Sequence, residues 1–499
     1  MARTLLFSGS FLAVVGAIGF AGCSDDPTPV GTGGSSATDA SSASSTASST
    51  ASSSSAGGAG GMGGMGGTAG TGGMGGAAGM GGSAGSGGTG GSAGSGGMGG
   101  AAGSGGMGAG GGTGGAGGME VLDPDKDGWT KAEGDCCENE FECSKPSSVN
   151  PGAFEYPGNG YNDDCDDGTT SDVAAQPDCT DMPLAVPTTS LELVRAMDLC
   201  QFTTENPALP QRKWGVISST LVLADGSNAI VPNDLQVGVL SNYGPNVTPR
   251  RGATMVALST GTARDEGDAG YKHPQNGPDP LLQKGNFVAG TKVSAPPDYL
   301  AANGGKLPSP AACPDCQGMD CTSAFDSVNL KLRIRVPTNA KSFSYRVKSY
   351  SAEYPEFTCA QYNDFFLTLL KSSWIPDPLA NPPQVALPVD GNIAKDSLGN
   401  ALTVNNAFYE VCYPYVGAPV DACPSGTLEL VGTGMGGWNN DLKDGGGTEW
   451  LISEAPVVPG EKIDLEFIIA DSGDSNVDSI VLLDYFRWGL EPAPVGIHK

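Results

Sequence analysis

Short apolar runs separated by turn residues occupy the chain from residue 215 to residue 488. In residues 330–336, Leu, Leu, Ile and Val alternate with Lys and Arg, which is the two-residue period of a strand with one buried face. Strand-length runs between Gly, Pro, Asn and Asp favour an all-β fold, an antiparallel β-sandwich or jelly roll. One segment, 191–200, has helical spacing and follows Ser190, a residue type that caps helices. The predicted strands are 215–223, 235–240, 254–259, 329–336, 342–350, 365–370, 401–404, 450–453, 462–470 and 479–488.

The polar stretch 349–366 joins two of these predicted strands, 342–350 and 365–370. It contains two Glu, an Asn-Asp pair, a Pro and a Cys, which is more acid than a hairpin requires. Because loops carry function while strands position them, we interpret this stretch as a site-bearing corner of the sandwich.

Residues 1–22 have the features of a secretory signal peptide. Arg3 gives a positive start, and the apolar run 5–20 is too short and too rich in Gly and Ser for a membrane span. The segment ends in Phe-Ala-Gly before Cys23 and so resembles the lipobox of bacterial lipoproteins, although Phe20 replaces the usual aliphatic residue. The resemblance implies that Cys23 is acylated and becomes the mature N-terminus. The alternative is ordinary signal cleavage with a free Cys.

Residues 23–118 form a low-complexity stretch in which Ser, Ala and Thr come first and Gly with Met follows. Such a chain lacks the apolar surface that would offset the entropy of ordering it, so it is predicted to be a disordered tether. At roughly 5–6 Å times the square root of the residue number, the tether spans about 50–60 Å. We therefore expect it to lift the folded part away from the membrane.

The chain of 499 residues carries a formal net charge of −28. A protein this acidic repels nucleic acid and anionic lipid, so its expected partners are cations or neutral ligands and not nucleic acid. The alternative is that part of this charge is simply a solvated surface that aids solubility.

The whole chain contains two histidines, His273 and His498. Their scarcity argues against His-ligated zinc and against Ser-His-Asp or Cys-His catalysis. No Gly-x-Ser-x-Gly nucleophile elbow follows a predicted strand. A glycosidase would need two carboxylates across a cleft, and no acid is set apart for that role. We therefore predict that the protein is not an enzyme, with a hydrolase as the least favoured alternative.

The chain has 13 cysteines, and an even number remains if Cys23 is set aside. An even number in an exported protein indicates disulfides, which we predict to form within an early and a late group. Cys313-Pro-Asp-Cys316 has the spacing of a redox or zinc motif, but without a second such pair it is interpreted as a structural disulfide. The early group is Cys136, Cys137, Cys143, Cys165, Cys179 and Cys200, and the late group is Cys313, Cys316, Cys321, Cys359, Cys412 and Cys423.

The segment 119–180 is rich in Asp and Cys and begins with three Asp at alternate positions followed by Gly. This spacing curls carboxylates around one hard cation, as in EF-hand-like loops. The twelfth loop position is Gly134 where an EF-hand has Glu, so Asp135 or Glu138 is expected to complete the shell instead. The three alternating residues are Asp123, Asp125 and Asp127.

A second acidic block follows in residues 150–155 and 159–166. Together the blocks resemble the Asp-rich metal-binding motif of secreted bacterial proteins, the MopE type, with Asn162 in place of its first Asp. Because the segment has few large apolar residues, we expect disulfides and Ca²⁺ to hold it together. The alternative is a disordered acidic linker. The further candidate ligands are Glu155, Asp163, Asp164 and Asp166.

Five stretches of the predicted sandwich form a recognisable set: 351–357 (Ser-Ala-Glu-Tyr-Pro-Glu-Phe), 361–366 (Gln-Tyr-Asn-Asp-Phe-Phe), 392–394, 404–406 and 468–483. In order and spacing the set resembles the choice-of-anchor L domain, which would cover residues 188–492 here. Ala352 stands where that family has a further acid. The resemblance implies a secreted protein displayed at a surface through an anchor, and it brings no established catalytic residues.

Acidic residues also gather at two corners of the predicted sandwich. If the two corners meet, six or seven oxygens converge, which suits Ca²⁺ better than Mg²⁺. The alternative is turn chemistry, since Asp and Asn cap turns by bonding their own backbone. The first set is Glu353, Glu356, Asn363 and Asp364, and the second is Asp471, Asp474 and Asp478.

These features predict a lipid-anchored, calcium-binding, non-enzymatic protein with a structural or adhesive role. We expect it to be displayed at the surface of the bacterial cell envelope, at the outer membrane. The alternative is a surface-displayed carbohydrate-binding module, in which Trp374, Trp438 and Trp450 could offer stacking faces, although such residues are more often core. The expected partners are the membrane, through the N-terminal lipid, and an extracellular glycan or protein.

Overall fold

The computed structural model describes most of the chain after residue 121. The predicted signal peptide and tether, together with Cys316 and Trp438, lie outside the described residues. The described residues are 122–166, 168, 179, 187, 189–227, 234–274, 291–311, 313, 320–360, 362–406, 408–414, 423–436 and 445–499.

Strands dominate the regular structure of these residues. Along the chain they are β1 (Gly215–Val222), β2 (Val237–Leu240), β3 (Met255–Ser259), β4 (Lys292–Ser294), β5 (Ser323–Arg335), β6 (Ser342–Ser351), β7 (Phe365–Lys371), β8 (Leu402–Thr403), β9 (Tyr409–Cys412), β10 (Gly446–Thr448), β11 (Leu451–Pro456), β12 (Lys462–Asp471), β13 (Ser479–Gly489) and β14 (Gly496–His498). The helices are α1 (Ser190–Ala196) and α2 (Pro297–Ala302), with turns of 3-10 helix at Lys131–Glu133, Pro146–Ser148, Leu209–Gln211, Asp234–Gln236 and Leu428–Leu430.

The strands form two antiparallel sheets that pack face to face. One sheet has six strands in the order β1-β5-β12-β7-β8, with β4 also paired to β5. The other has eight strands in the order β14-β11-β6-β13-β3-β2, and β10 pairs with both β6 and β9. The predicted antiparallel β-sandwich is confirmed.

The main core lies between the sheets and is filled by alternate residues of their strands. Leu330 and Leu332 of β5 are fully buried there. Lys331 and Arg333 alternate with them and form ion pairs of 2.9 and 2.8 Å with acidic residues of β12. The alternation that predicted one apolar face for this strand is therefore confirmed.

The apolar run 480–483 in β13 is buried on both faces. Val481 and Leu483 belong to the main core, whereas Ile480 and Leu482 belong to a second apolar cluster on the outer face of the eight-stranded sheet. A third cluster covers the outer face of the six-stranded sheet in the same way. Because both faces are covered, central strands read as continuous apolar runs without alternation.

The apolar pattern does not predict β4, β9, β10 and β14. These strands are short, and the Gly-Gly pair of β10 is weak strand sequence. Strand β5 also begins before the predicted residue 329, at Ser323, because buried polar residues such as Asp326 and Ser327 interrupt its apolar pattern.

Helix α1 begins at Ser190 and is shorter than the predicted 191–200. Thr189 precedes it, and the backbone N–H of Thr189 donates to the Glu192 side chain at 2.9 Å. Soon after its end, Asp198 adopts a positive φ of 68°. No helix in the described part of the chain is long and apolar enough to cross a membrane.

The stretch 349–366 links β6 in the eight-stranded sheet to β7 in the six-stranded sheet. It is therefore a corner of the sandwich, as predicted. Cys359 within it forms a disulfide with Cys313. The structural disulfide predicted at Cys313 thus fastens the corner and does not close on Cys316.

The described disulfides stay within the two predicted groups. Cys321 is also disulfide-bonded. The early pairs are Cys136–Cys165, Cys137–Cys143 and Cys179–Cys200, and the late pairs are Cys313–Cys359 and Cys412–Cys423.

The Asp- and Cys-rich segment docks onto the sandwich through Phe154, which is buried in the main core. The Asn339 side chain bonds both backbone groups of Phe154. Its Oδ1 accepts from Phe154 N at 3.0 Å, and its Nδ2 donates to Phe154 O at 2.9 Å. Nearby, the Thr338 hydroxyl donates to Asn150 Oδ1 at 2.6 Å. A segment with little apolar surface of its own therefore shares the core of its neighbour.

Phe154→Ala tests this docking. We expect the substitution to lower the free energy of unfolding by about 3–5 kcal/mol, because it empties an aromatic site in the main core. Urea denaturation followed by tryptophan fluorescence measures the change. Phe141→Ala is the control, because the Phe141 side chain is fully exposed in the same segment and its loss should change stability by less than about 0.5 kcal/mol. Equal effects of the two substitutions would contradict the docking role.

Candidate functional site

The first acidic site is the loop of the three alternating Asp residues. The loop closes on Asp123, whose two carboxylate oxygens accept from Lys126 N at 2.6 Å and from Gly128 N at 3.0 Å. Lys126 and Gly128 have positive φ, 64° and 90°, which turns the chain back on itself. As a result, the carboxylates of Asp123, Asp125 and Asp127 offer oxygens that lie within 4.8 Å of one another.

Asp135 and Glu138 complete this group from the next turn of the chain. Oxygens of Asp125, Asp135 and Glu138 also lie within 4.8 Å of one another. Asp135 and Glu138 are 3% and 5% exposed. One Asp135 oxygen accepts from Cys137 N at 2.8 Å, while its other oxygen and both Glu138 oxygens make no hydrogen bond. The sequence predicted that one of these two residues closes the group, and the structure places both of them beside Asp125.

The acids of this loop group, Asp123, Asp125, Asp127, Asp135 and Glu138, disfavour one another's charges. Burial raises the pKa of Asp127 to about 7, and the charges of Asp125 and Asp135 add to the effect. Burial likewise raises the pKa of Asp135 and of Glu138, again with contributions from neighbouring carboxylates. To lie this close together, these carboxyl groups must either carry protons or hold a cation between them.

The second acidic block lies beside the loop group without joining it. Glu155 Oε2 accepts from Asp163 N at 2.8 Å, and Asp163 Oδ2 accepts from Tyr156 N at 3.0 Å. Burial, with the charge of Asp163, raises the pKa of Glu155 to about 7. Asp164 accepts from the backbone N–H of Asp166, which is exposed and lies 3.4 Å from Lys213. Asn150 links the block to the loop group, because its Nδ2 donates to Asp127 at 2.8 Å.

The two acidic corners of the sandwich lie against each other, but within the described residues no three of their carboxylates bring oxygens within 4.8 Å of one another, so the predicted convergence of six or seven oxygens is not seen. Asp364 of the first corner accepts from two groups of the second: Ser472 N at 3.3 Å and the Ser479 hydroxyl at 2.7 Å. In addition, Ala352 N donates to the carbonyl oxygen of Asp478 at 3.1 Å.

Glu353, Asp364, Asp471 and Asp478 form a buried corner group and are only 1–3% exposed. Both oxygens of Asp471 and of Asp478, and Oε2 of Glu353, make no hydrogen bond. Burial raises the pKa of Glu353, Asp471 and Asp478 well above the usual range and that of Asp364 to about 7. The chain makes room for this group at Gly261, where a Cβ atom would lie 1.9 Å from Asp478 Oδ2.

The other predicted corner ligands are placed differently. Asn363 is buried at 9% exposure, and its side-chain oxygen makes no hydrogen bond. Glu356 is exposed. Asp474 is half-buried and accepts from Asn476 N at 3.1 Å, which is the turn chemistry considered as the alternative.

Asp326 is a corner residue that the sequence interpretation missed. It is fully buried in β5, and its charge contributes to the raised pKa of Asp478. Its Oδ1 accepts from Thr291 N at 2.9 Å. An Asp flanked by apolar and small residues, in the stretch 323–328 just before the predicted strand, was the available signal.

An open cavity of about 610 Å³ lies between the docked segment and the sandwich. Phe154 and Tyr156 of the docked segment and Arg251, Tyr485 and Arg487 of the sandwich are among its lining residues. Both guanidinium groups pack on the Tyr485 ring, 5.7 and 5.4 Å from its centroid. We call this the arginine cavity. No sequence motif points to it, because its walls come from segments far apart in the chain.

Asp484 holds the arginine wall of this cavity in place. It is fully buried and accepts from the backbone N–H groups of Arg250, of Arg251 at 3.2 Å and of Tyr485 at 2.6 Å. Burial, with the charge of Asp198, raises the pKa of Asp484 to about 7.

The tryptophans proposed as stacking faces do not line the arginine cavity. Trp374 is partly buried, and its Nε1 donates to Val385 O at 3.2 Å. Trp450 packs against the second apolar cluster. Trp438 lies outside the described residues.

In a comparison with known proteins, one family model matches part of this chain. The model of the choice-of-anchor L domain matches residues 315–486. This range runs from just before β5 into β13, so it includes both acidic corners. No curated protein sequence and no solved structure matches the chain. The match supports the domain assignment that the sequence motifs predicted, and it suggests a surface-associated protein.

Asp484 should make stability depend on pH. Its pKa is about 7 when folded and about 3.9 when unfolded, so the folded state holds the proton longer. Asp484 therefore stabilises the folded state at low pH, and this contribution is lost as the pH rises from about 4 to 7. Between pH 4.5 and 8, the unfolding free energy should fall less in Asp484→Asn than in the unsubstituted protein. We expect the two falls to differ by on the order of 2 kcal/mol.

Urea denaturation at both pH values, in EDTA, measures the difference. Asp377→Asn is the control, because Asp377 is exposed. If the Asp484 variant and the control lose equal stability between the two pH values, the assignment of this titration to Asp484 is wrong.

Proposed function

We propose that this protein is a lipid-anchored, surface-displayed, calcium-binding protein without enzymatic activity, and that its role is structural or adhesive. The observation that carries the proposal is the burial of carboxylate oxygens without hydrogen bonds at two places, the loop group and the corner group. Interior carboxylates of this kind are paired with a cation or carry a proton.

The loop group favours calcium by its donor set. All of its side-chain ligands are carboxylates, and calcium takes six to eight hard oxygens at flexible geometry. Zinc would prefer thiolate or imidazole, but the neighbouring cysteines are in disulfides. Two unit charges 4 Å apart repel by about 4 kcal/mol at an effective dielectric of 20, and a divalent cation reverses that sign. Metal binding and ordering of this segment would then be one event.

The corner group is proposed as a second calcium site on the burial of its carboxylate oxygens alone, since in the described residues the carboxylates that come within 4.8 Å of one another are those of the loop group. Both oxygens of Asp364 accept hydrogen bonds, one from Ser472 and one from Ser479. The four carboxylate oxygens of Asp471 and Asp478 make no hydrogen bond. Because these acids are buried, a substrate has no approach to them, which supports a structural role over general acid–base chemistry.

Surface display is supported by the domain match, and lipid anchoring by the residues before Cys23. An acyl group contributes about 0.8 kcal/mol for each buried CH₂, so several chains on one Cys would hold the protein to the outer membrane.

Calcium should bind at both groups. Isothermal titration of the metal-stripped protein should show two classes of site. Asp125→Asn combined with Asp135→Asn should weaken one class, and Asp471→Asn combined with Asp478→Asn the other, each by about tenfold or more. Limited proteolysis in EGTA should cut within residues 122–168 while the sandwich persists, and millimolar calcium should protect the segment.

Asp166→Asn is the matched control, because Asp166 is exposed and pairs with Lys213. It should keep both classes. Identical proteolysis in EGTA and in calcium would overturn the metal role of the segment, and unchanged titrations in both double variants would overturn calcium binding altogether.

Cys23→Ser should release the protein from the membrane. Without the thiol, no acyl group can be attached, so the protein should move from the membrane pellet to the soluble fraction of fractionated cells. Ser24→Ala, next in the chain, should remain in the pellet. If the Cys23 variant still partitions with membranes, the lipid anchor is refuted.

A further inference from the structure

The arginine cavity has the size and the mixed lining of a small-molecule site. Its volume of about 610 Å³ falls within the range of roughly 300–1,000 Å³ that ligand pockets occupy. It is open to solvent, and its lining combines aromatic rings with charged groups of both signs: Phe154, Tyr156, Tyr485 and Trp488 with Arg251, Arg487, Glu155 and Glu454.

Two arginines, Arg251 and Arg487, line the cavity together with three glutamates, Glu155, Glu454 and Glu491. Arg346 lies close enough to Arg487 and Arg250 for their charges to interact. Burial lowers the pKa of Arg346, and the like charges of Arg487 and Arg250 lower it further. Neighbouring guanidinium groups repel one another. The charge of Glu454 partly offsets that repulsion, and an anionic group bound to the arginines would offset it further.

Arg487 is held ready to bind an anion. Its Nε donates to Ser344 Oγ at 3.0 Å, and its guanidinium packs on Tyr485. Within the described part of the chain, its two terminal nitrogens make no hydrogen bond or ion pair. Their planar fork matches a carboxylate, which can accept two parallel hydrogen bonds.

The remaining lining identifies what should surround that carboxylate. Glu454 and Glu155 are acceptors, so they favour a ligand with hydroxyl donors and repel a phosphate or a second acid. Tyr156 lines the same cavity with 38% of its surface exposed, so its ring is available to a flat apolar ring surface. A ring that carries a carboxylate, several hydroxyls and a C–H face satisfies all three requirements.

We propose that the arginine cavity binds an acidic saccharide, with a uronic carboxylate on Arg487 and the sugar ring against Tyr156. The site uses no carboxylate of the loop group or the corner group and stands independently of the metal proposal. It is distinct from the tryptophans that the sequence indicated as stacking faces.

Binding of galacturonate, glucuronate and guluronate trimers to the full folded protein tests the proposal by isothermal titration in millimolar calcium. At least one trimer should bind, and its methyl ester should bind about tenfold more weakly or worse, because the ester cannot pair with the arginine. Arg487→Ala should lower the affinity for the acid by about tenfold or more and leave the affinity for the ester unchanged. Tyr156→Ala should weaken both ligands, and Tyr156→Phe should restore binding.

Arg212→Ala is the control, because Arg212 is an exposed arginine outside the cavity, and it should bind as the parent does. Unfolding midpoints of all variants verify that each is folded. Failure of all three trimers to bind at millimolar concentration would overturn the proposal. So would equal affinity for acid and ester, or preference for an acidic peptide or inorganic phosphate over every trimer.

Discussion

The corner of this sandwich depends on how carboxylates are accommodated where water is excluded. Asp364 ties the crossing between β6 and β7 to the turn before β13, since its two oxygens accept from Ser472 and Ser479. Its neighbours Asp471 and Asp478 lie equally deep but have no such donors. The two sheets can therefore close at this end only while the remaining charge is neutralised, whether by protons or by a cation.

The same constraint operates at the loop group, where the supporting structure is different. There the chain has almost no core of its own, and Phe154 inserts into the core of the sandwich while Asn339 satisfies the backbone around it. Disulfides close the segment, and backbone N–H groups orient the carboxylates. A weakly apolar segment thus becomes ordered by using its neighbour's core, covalent bonds and charge neutralisation together.

Much of the fold follows from local sequence, because alternation in 329–336 and continuous apolar runs elsewhere mark strands directly. The order of strands in each sheet does not, since pairing is set by contacts between distant segments. The loop group could be predicted because Asp123, Asp125 and Asp127 recur every second residue. The corner acids could be predicted because they lie next to the ends of predicted strands. The arginine cavity was not accessible, because residues near 154, 251, 454 and 487 meet only after folding.

The Cys136–Cys165 disulfide closes a covalent ring around residues 137–164, and that ring contains Phe154 and Asn150, which dock on the sandwich. Because the bridge joins the two ends of the ring, a single cut of the backbone between residues 137 and 164 would leave both pieces covalently attached. The docked residues would then stay joined to the rest of the chain until that one bond is reduced.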